Sequence, residues 1–338
     1  MKPEDITYGT FALIREMLET TEVVRNFDFK QTMNIAEELR SVDKLLLTGE
    51  GSSRIFPAKN AVRKALTMGL DLAVFTDGSH QSELYDLSKF AVFCSSNSGQ
   101  TKEVILLAQK LAATGNERRY AVTAKKDTPL QEACKETFVL HCGPEQAVAA
   151  TKSVVEQALI YESILWHLKG IDLGARLPSL ASALEQTLTM PISREIVEWA
   201  VKAPTIYFAG YNDGVAEELA LKTNEITHKK SDFLEGTYVA HGIEEVMDKR
   251  DIVFWIDPIE SEMEKFQEVL VEGVGLHVVA IADRETPFPT ILVPSAGVLN
   301  PYVYLCAGWN LLVEIGLATG IDIDKPTRAR KIGNVFIG

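Results

Sequence analysis

Two serine-rich stretches carry side chains that could bind an anion, and each follows a short apolar run. Residues 95–101 read SSNSGQT between the run AVFC and the helical pattern TKEVILLAQKL, and residues 49–53 read GEGSS after the run KLLLT. Hydroxyl and amide donors, a turn glycine and the free N–H groups of a helix N-terminus together attract phosphate. A serine-rich helix cap is the alternative interpretation. The Gly-Lys-Ser/Thr ending of a Walker loop is missing, so the residues favour a phosphate site of another kind.

A second set of residues could move a proton. Glu218, Lys222 and Glu225 are spaced as i, i+4 and i+7, so a helix would place them on one face. A carboxylate can carry a proton between adjacent carbons if partial burial raises its pKa toward neutrality, and a nearby ammonium can stabilise an enediolate oxygen. The alternative is an ordinary surface Glu–Lys pair worth about 0.3 kcal/mol.

These residues belong to a sequence that repeats itself. Residues 44–62 match residues 205–223, and the run from Ala91 matches the run from Ile252, both at an offset of 161 residues. Two shorter pairs extend the repeat: 120–124 with 278–282, and 167–172 with 317–322. Each copy alternates short β-branched runs with helical stretches of about 12–20 residues, which predicts parallel strands and crossover helices. The sequence therefore predicts α/β architecture, with two doubly wound three-layer (αβα) domains.

The repeat also predicts the domain boundaries. We expect a first domain over residues 27–170 and a second over 190–324, joined by a connector with one helix. A leading helix over residues 10–26 and a C-terminal tail over 325–338 complete the prediction.

The two copies differ where ligands of open α/β sheets bind, which is beyond the carboxyl ends of the strands. Residues 257–262 (DPIESE) replace the serine stretch in the second copy, and residues 210–214 (GYNDG) replace GEGSS. An acidic loop cannot hold a phosphate. We therefore expect an anion in the first copy and none at 257–262.

Composition excludes several classes of protein. The chain has 338 residues with 34 basic and 47 acidic side chains, a net charge of −13, so a nucleic-acid partner is not expected. MKPEDITYGT lacks the apolar core of a signal peptide, and no run approaches the roughly 18 apolar residues of a spanning helix. Four separated cysteines without a CxxC predict neither a disulfide framework nor a metal site. We expect a cytoplasmic protein without a cofactor or membrane contact.

The serine loops, the repeat and several further motifs resemble the tandem SIS (sugar isomerase) domain family, in the arrangement of the isomerase half of glucosamine-6-phosphate synthases. The further motifs are EQAVAATKS (145–153), EELALKTNEITH (217–228), the pair His241-Gly242 and DIDKPTRARK (322–331). The glutamine-hydrolysing domain of those synthases has no counterpart here. The resemblance therefore implies a stand-alone phosphosugar isomerase or deaminase without glutaminase activity.

Residue by residue, the resemblance implies a set of roles. It places the sugar phosphate on Ser52, Ser53, Ser96, Asn97, Ser98 and Thr101, with the backbone of Val148 and Ala150 lining the sugar. Glu225 matches the carboxylate that shuttles a proton between C1 and C2, with Lys222 and Glu218 as its helix neighbours. His241 matches a ring-opening histidine supplied by the partner subunit, which implies a homodimer. Lys331 matches a tail lysine that forms an imine with the open-chain sugar.

Two of these residues also have interpretations that involve no catalytic role. His241 could be an ordinary turn histidine. Lys331 lies beside Arg328 and Arg330, whose charges would depress its pKa and favour the nucleophilic amine, although a basic tail on an acidic protein is the alternative.

Several residues differ from the family pattern at positions where they could change which substrate is bound. Asn97 stands where the family has glutamine, Glu50 where a small residue is usual, and Ala150 where a hydroxyl residue is usual. Glu244 and Glu245 follow His241-Gly242 in place of proline and apolar residues. An acidic rim would suit a cationic amino sugar or an amino-acid adduct.

Three functions remain open from the sequence. The first is a glucosamine-6-phosphate deaminase-like enzyme, or an aldose/ketose isomerase, acting on a hexosamine 6-phosphate. The second is a deglycase that releases an amino acid from a fructosamine 6-phosphate. The third is a phosphosugar sensor without catalysis. Retention of Lys222 and Lys331 favours the first over the second, and retention of Glu225, His241 and Lys331 argues against the third.

Overall fold

The structure, a computed structural model, describes Met1 and residues 5–337 and contains two parallel sheets of five strands each. The strands of the first sheet lie in the spatial order β2-β1-β3-β4-β5. They are β1 (Lys44–Gly49), β2 (Ala73–Gly78), β3 (Phe90–Ser95), β4 (Arg119–Thr123) and β5 (Glu136–Val139). In this register Gly49 lies opposite both Gly78 and Ser95, so the loops that follow β1, β2 and β3 start side by side.

Eight helices are described before and around the first sheet, four with 12 or more residues and four with seven or fewer. They are α1 (Ile6–Gly9), α2 (Ala12–Arg25), α3 (Met33–Leu39), α4 (Ile55–Thr67), α5 (Ser79–Ser82), α6 (Lys102–Ala113), α7 (Pro129–Ala133) and α8 (Lys152–Lys169). The helix α8 is buried along its whole length from Lys152 to Trp166. It ends at Gly170, whose left-handed conformation (φ 73°) is a common helix stop.

The second sheet has the spatial order β10-β9-β8-β6-β7. Its strands are β6 (Thr205–Gly210), β7 (Lys230–Glu235), β8 (Ile252–Ile256), β9 (His277–Ala282) and β10 (Thr290–Leu292). The accompanying helices are α9 (Leu177–Thr189), α10 (Arg194–Lys202), α11 (Val215–Thr227), α12 (Met263–Phe266), which continues as a π-helix over Gln267–Val274, and α13 (Asn300–Thr319). The helix α13 ends at Gly320 (φ 71°), as α8 ends at Gly170, so the HLKGID and LATGID segments stop a helix in the same way.

Short 3₁₀ turns connect several of these elements. They are Phe29–Thr32, Gly51–Ser53, Gly174–Arg176, Tyr238–Ala240, Ile243–Val246, Glu260–Glu262 and Gly297–Leu299.

The chain divides into two compact units, one around each sheet. The sheet-one unit contains residues 22–145, 150–178 and 330–337. The sheet-two unit contains Met1 and residues 5–21, 146–149 and 179–329. Two segments therefore belong to the unit built mainly from the other half of the sequence. Residues 146–149 belong to the sheet-two unit, and the C-terminal residues 330–337 belong to the sheet-one unit.

The α/β class with parallel sheets that the sequence predicts is confirmed. The six predicted apolar runs are the six interior strands. Nearly every residue of these strands is buried, as in β8, where all five residues are buried. The four edge strands were not predicted. Each is half exposed, as in β2 and β7, and so lacks the continuous apolar run that marks a strand covered on both faces.

The helix α13 lies in the core of the sheet-two unit. By length and composition it could cross a membrane, but 78% of its apolar window is buried inside the structure. Its close packing against α11 depends on Gly308, because an added Cβ would lie 2.8 Å from Cγ of Leu219 and closer still to its methyl groups.

Replacing Gly308 should therefore destabilise the packing that positions α11. Leu219 is completely buried and would have to shift within a packed core, so we expect Gly308→Ala to lower the free energy of unfolding by about 1–3 kcal/mol. Urea titration followed by circular dichroism measures this. Gly9→Ala is the matched control, since nothing lies within 4 Å of a Cβ at Gly9; equal stability of the two variants would contradict the packing argument.

Candidate active site

The loop after β3 brings three hydroxyl groups together. Ser96 Oγ lies 2.7 Å from Thr101 Oγ1 and 3.3 Å from Ser98 Oγ. Gly99 turns the chain with φ 64°, and an added Cβ there would lie 2.5 Å from Thr128 Oγ1, so only glycine allows this tight turn. The helix α6 then begins at Lys102 without a side-chain cap from Thr101. The Thr101 hydroxyl faces Ser96 instead of capping its helix, which differs from the simple capping interpretation.

The loop after β1 lies directly beside the first. Residues Gly51–Ser53 form a 3₁₀ turn, in which Ser52 and Ser53 are half-buried. An added Cβ at Gly49 would lie 2.8 Å from the Ser95 carbonyl oxygen and 3.1 Å from that of Ser53. The absence of a side chain at Gly49 therefore allows the backbones of the two serine loops to approach each other closely.

Glu50 faces the end of β2. Its Oε1 accepts a hydrogen bond of 2.8 Å from the Ser79 backbone N–H, and its carboxylate oxygens would lie 3.7 Å from a Cβ at Gly78. The residue is exposed. Glu50 therefore places a negative charge at the carboxyl edge of the sheet, on the β2 side of the serine loops.

Glu145 is a candidate functional residue to which the sequence assigned no role. Its side chain, 1% exposed, accepts hydrogen bonds from Asn97 Nδ2 (3.1 Å), Ser153 Oγ (2.6 Å) and the Thr151 backbone N–H (2.8 Å). Lys331 Nζ lies 3.5 Å from Glu145 Oε2. Glu145 opens the motif EQAVAATKS (145–153) noted above, but the motif by itself gave the residue no role.

The surroundings of Glu145 keep it ionised. Burial by itself raises the pKa of this carboxyl, but the Lys331 ammonium and the hydrogen bonds from Ser153 and Thr151 outweigh burial and hold the pKa below its usual value. An ionised carboxylate only accepts hydrogen bonds, which fixes the Asn97 amide with its NH₂ group toward Glu145. Asn97 and Lys331 therefore meet at the same anion.

The tail that carries Lys331 pairs with the serine loop of its own unit. Lys102 N–H donates to the Asn334 carbonyl (3.1 Å), and Phe336 N–H donates to the Gln100 carbonyl (2.9 Å). Thr101 and Val335 form an antiparallel bridge. One of the first backbone N–H groups of α6 is thus used by the tail, so an anion here would depend more on the hydroxyl groups than the sequence implied.

In the sheet-two unit, α11 brings its three predicted residues together. Lys222 Nζ lies 2.7 Å from Glu225 Oε2 and 3.3 Å from Glu218 Oε1. Glu218 and Lys222 are completely buried, whereas 20% of the Glu225 side chain is exposed. Burial alone would lower the pKa of Lys222, but the two carboxylates raise it to about 12. Lys222 is therefore a permanent cation that holds Glu225, the most exposed of the three.

The remaining predicted residues lie in less enclosed places. His241 is exposed, and its backbone N–H donates to the Tyr238 carbonyl. Gly242 follows with φ 109°, and its N–H donates to Glu244 Oε2 at 2.6 Å, while Glu245 is exposed. The Val148 N–H donates to the Asp324 carbonyl at 3.0 Å within the sheet-two unit. Ala150 is half-buried in the sheet-one unit.

The second copy fills the corresponding position with an ion pair of its own. Asp257, which follows β8, has φ 46°, and Arg284 Nη1 lies 2.7 Å from its Oδ1. This pairing occupies the place where the first copy gathers the hydroxyls of Ser96, Ser98 and Thr101. It gives a physical basis for the predicted asymmetry between the copies.

Removing the buried cation of α11 should leave two carboxylates without compensation. We expect Lys222→Met to lower the free energy of unfolding by about 3–5 kcal/mol at pH 7, measured by urea titration. Lys202→Met, which changes an exposed lysine of α10, is the control. An equally small loss of unfolding free energy in the two variants would contradict the predicted contribution of the buried ion pair.

The same ion pair has a defined pH window in the unaltered protein. The pKa of Lys222 is raised from 10.5 to about 12 on folding. Its stabilisation is therefore complete below pH 10.5 and is lost as the pH rises toward 12.

Comparison with known proteins agrees with this fold. Residues 38–166 match the family model described as the SIS domain, inside the predicted first domain. The isomerizing glutamine–fructose-6-phosphate aminotransferase of Streptococcus agalactiae is 23% identical over 363 residues, covering 97% of this chain and 59% of the relative. The chain thus spans about three fifths of the length of the curated relatives it matches first.

Two solved structures resemble the chain over nearly its full length. Glucosamine-6-phosphate deaminase from Thermotoga maritima has a TM-score of 0.71 at 19% identity, covering 96% of this chain and 100% of the other. Tagatose-6-phosphate ketose/aldose isomerase from Escherichia coli has a TM-score of 0.76 at 17% identity, covering 97% and 99%. At such identities the likeness shows the fold alone. Residues 38–166 of this chain therefore match a SIS domain, and the solved structures share the fold of nearly the whole chain.

Proposed function

We propose that the chain is an enzyme of phosphosugar metabolism, an isomerase or deaminase that acts on a hexosamine 6-phosphate. The observation that carries the proposal is the convergence of the Ser96, Ser98 and Thr101 hydroxyls at the start of α6. Closely spaced hydroxyl donors at a helix N-terminus match the several acceptor oxygens of a phosphate group. In this proposal Ser52, Ser53 and Asn97 contact the rest of the sugar phosphate, with the backbone of Val148 and Ala150 beside it.

Glu225 is the proposed base. Lys222 Nζ lies 2.7 Å from its carboxylate, which orients the side chain. A single carboxylate that removes a proton from C2 and returns it to C1, or the reverse, accounts for aldose–ketose interconversion without a cofactor. In a deaminase the same transfer converts a 2-amino sugar into a ketimine, which water then hydrolyses to the ketose and ammonia.

His241 and Lys331 complete the proposal. We assign ring opening to His241 of the partner subunit in a homodimer, a role that suits an exposed histidine in a turn. Lys331, whose ammonium lies beside Glu145, is the proposed amine for an imine with the open-chain sugar. We place the enzyme, a soluble protein in this proposal, in the cytoplasm.

A deglycase that splits a fructosamine 6-phosphate is the second candidate. Glu50 supports it, since an exposed carboxylate at the edge of β1 would attract the amine of an amino-acid adduct. The organised Glu218–Lys222–Glu225 group supports catalysis of either kind over a sensor, because a sensor needs no buried ion pair beside a partly exposed carboxylate.

Phosphate binding tests the first assignment. Ser98→Ala removes one hydroxyl donor to an anion, so we expect the Kd for inorganic phosphate to rise about tenfold, measured by isothermal titration calorimetry. Ser41→Ala, which changes an exposed serine remote from the loop, should bind as the unaltered protein does. Undiminished phosphate binding by Ser98→Ala would remove this loop from the site.

Glu225→Gln tests the catalytic assignment. The two side chains have nearly the same shape, so sugar-phosphate affinity should change little while turnover falls by about 10²–10⁴-fold. The assay follows ammonia or amino-acid release from glucosamine 6-phosphate and fructosamine 6-phosphates, and deuterium uptake from solvent at C1 or C2. The exposed Glu264→Gln is the control. An unaltered protein that binds hexose 6-phosphates but neither exchanges deuterium nor releases an amine would be a sensor.

A further inference from the structure

One buried helix face contacts both serine loops. Gln157 and Tyr161 lie one turn apart on α8, and each is 2% exposed. Gln157 Nε2 donates a hydrogen bond to the Ser53 carbonyl oxygen. The Tyr161 hydroxyl forms a hydrogen bond with Ser95 Oγ. Ser53 closes the 3₁₀ turn after β1, and Ser95 is the last residue of β3, directly before Ser96.

The two contacts come from neighbouring side chains of one helix. Gln157 and Tyr161 are four residues apart on α8, so they lie on the same helix face, and each hydrogen-bonds a different serine loop. Both side chains are buried, where an unmade hydrogen bond is costly. A shift of either loop would therefore break a buried hydrogen bond.

No side chain separates the two loops where they approach each other. Gly49 lies opposite Ser95 in the sheet, and a Cβ there would meet the carbonyl oxygens of Ser95 and Ser53. Backbone sterics thus set only the closest distance that the loops can reach. The hydrogen bonds from Gln157 and Tyr161 hold each loop to α8.

The helix that carries these residues is itself firmly held. Glu162, the residue after Tyr161, accepts hydrogen bonds from Trp166 Nε1 (2.6 Å) and Asn60 Nδ2 (3.0 Å), and Lys64 Nζ lies 3.2 Å away. Asn60 and Lys64 belong to α4, which begins two residues after Ser53. The helix α8 is therefore a fixed reference for the loop that leads into α4.

We propose that Gln157 and Tyr161 are positioning residues that set the separation of the two serine loops, so that one sugar phosphate can contact both. This inference rests on the proposed function, in which the loops share a ligand. It predicts a selective effect. A ligand that spans both loops depends on their separation, whereas inorganic phosphate needs only the loop of Ser96, Ser98 and Thr101.

The test compares two ligands by isothermal titration calorimetry, well below the unfolding temperature of each variant. We expect Tyr161→Phe and Gln157→Met to raise the Kd for glucosamine 6-phosphate at least tenfold and the Kd for inorganic phosphate less than threefold. Tyr120→Phe is the matched control. It removes another buried tyrosine hydroxyl of the same unit, one that donates to Glu38 at 2.6 Å, and it should leave both constants unchanged.

The outcomes separate this inference from the proposed function. Equal weakening of both ligands, or of neither, would show that Gln157 and Tyr161 only fill the core and would overturn the inference. If Tyr161→Phe fails to fold, Ser95→Ala removes the same hydrogen bond from the loop side and should give the same selective loss. An unaltered protein that binds neither ligand would refute the proposed function and this inference with it.

Discussion

The buried Glu162 carboxylate is the interaction on which the sheet-one unit depends. A parallel sheet covered on both faces requires helices buried over most of their surface, and α8 is buried from Lys152 to Trp166. Burying a carboxylate is costly unless it is paired and hydrogen-bonded, and Glu162 meets that condition through Lys64, Asn60 and Trp166. The pairing locks α8 to α4. Both serine loops then receive hydrogen bonds from polar side chains of this buried helix.

Each unit also carries a lysine that contacts at least one carboxylate. The two lysines differ in how much of the side chain is exposed. In the sheet-two unit Lys222 is completely buried between Glu218 and Glu225, so its charge serves to hold the carboxylates rather than to reach solvent. In the sheet-one unit Lys331 keeps 34% of its side chain exposed, while its partner Glu145 is enclosed. The enclosed partner in each pair fixes the geometry, and the other side chain keeps part of its surface exposed: Glu225 in one unit, Lys331 in the other.

The loops after β3 and β8 gather different groups. After β3 the chain places hydroxyl groups together and turns at Gly99. After β8 it places Asp257, and Arg284 neutralises that charge within the protein. An internal cation thus satisfies the second loop, so nothing about its structure calls for a ligand. The difference arises from the side chains that follow the two strands and from the helices that they lead into.

The sequence by itself determined the interior of each sheet and the face of α11. Strands covered on both sides need continuous apolar runs, and the spacing of Glu218, Lys222 and Glu225 brings side chains together through helix geometry alone. The edge strands could not be predicted in this way, because their residues are half exposed and do not form a continuous apolar run. Only the tertiary structure joined Lys331 and Asn97 to Glu145, or Gln157 and Tyr161 to the serine loops. Those partners are distant in sequence and meet because parallel strands in register bring their loops to one edge, where the buried α8 and the paired tail contact them.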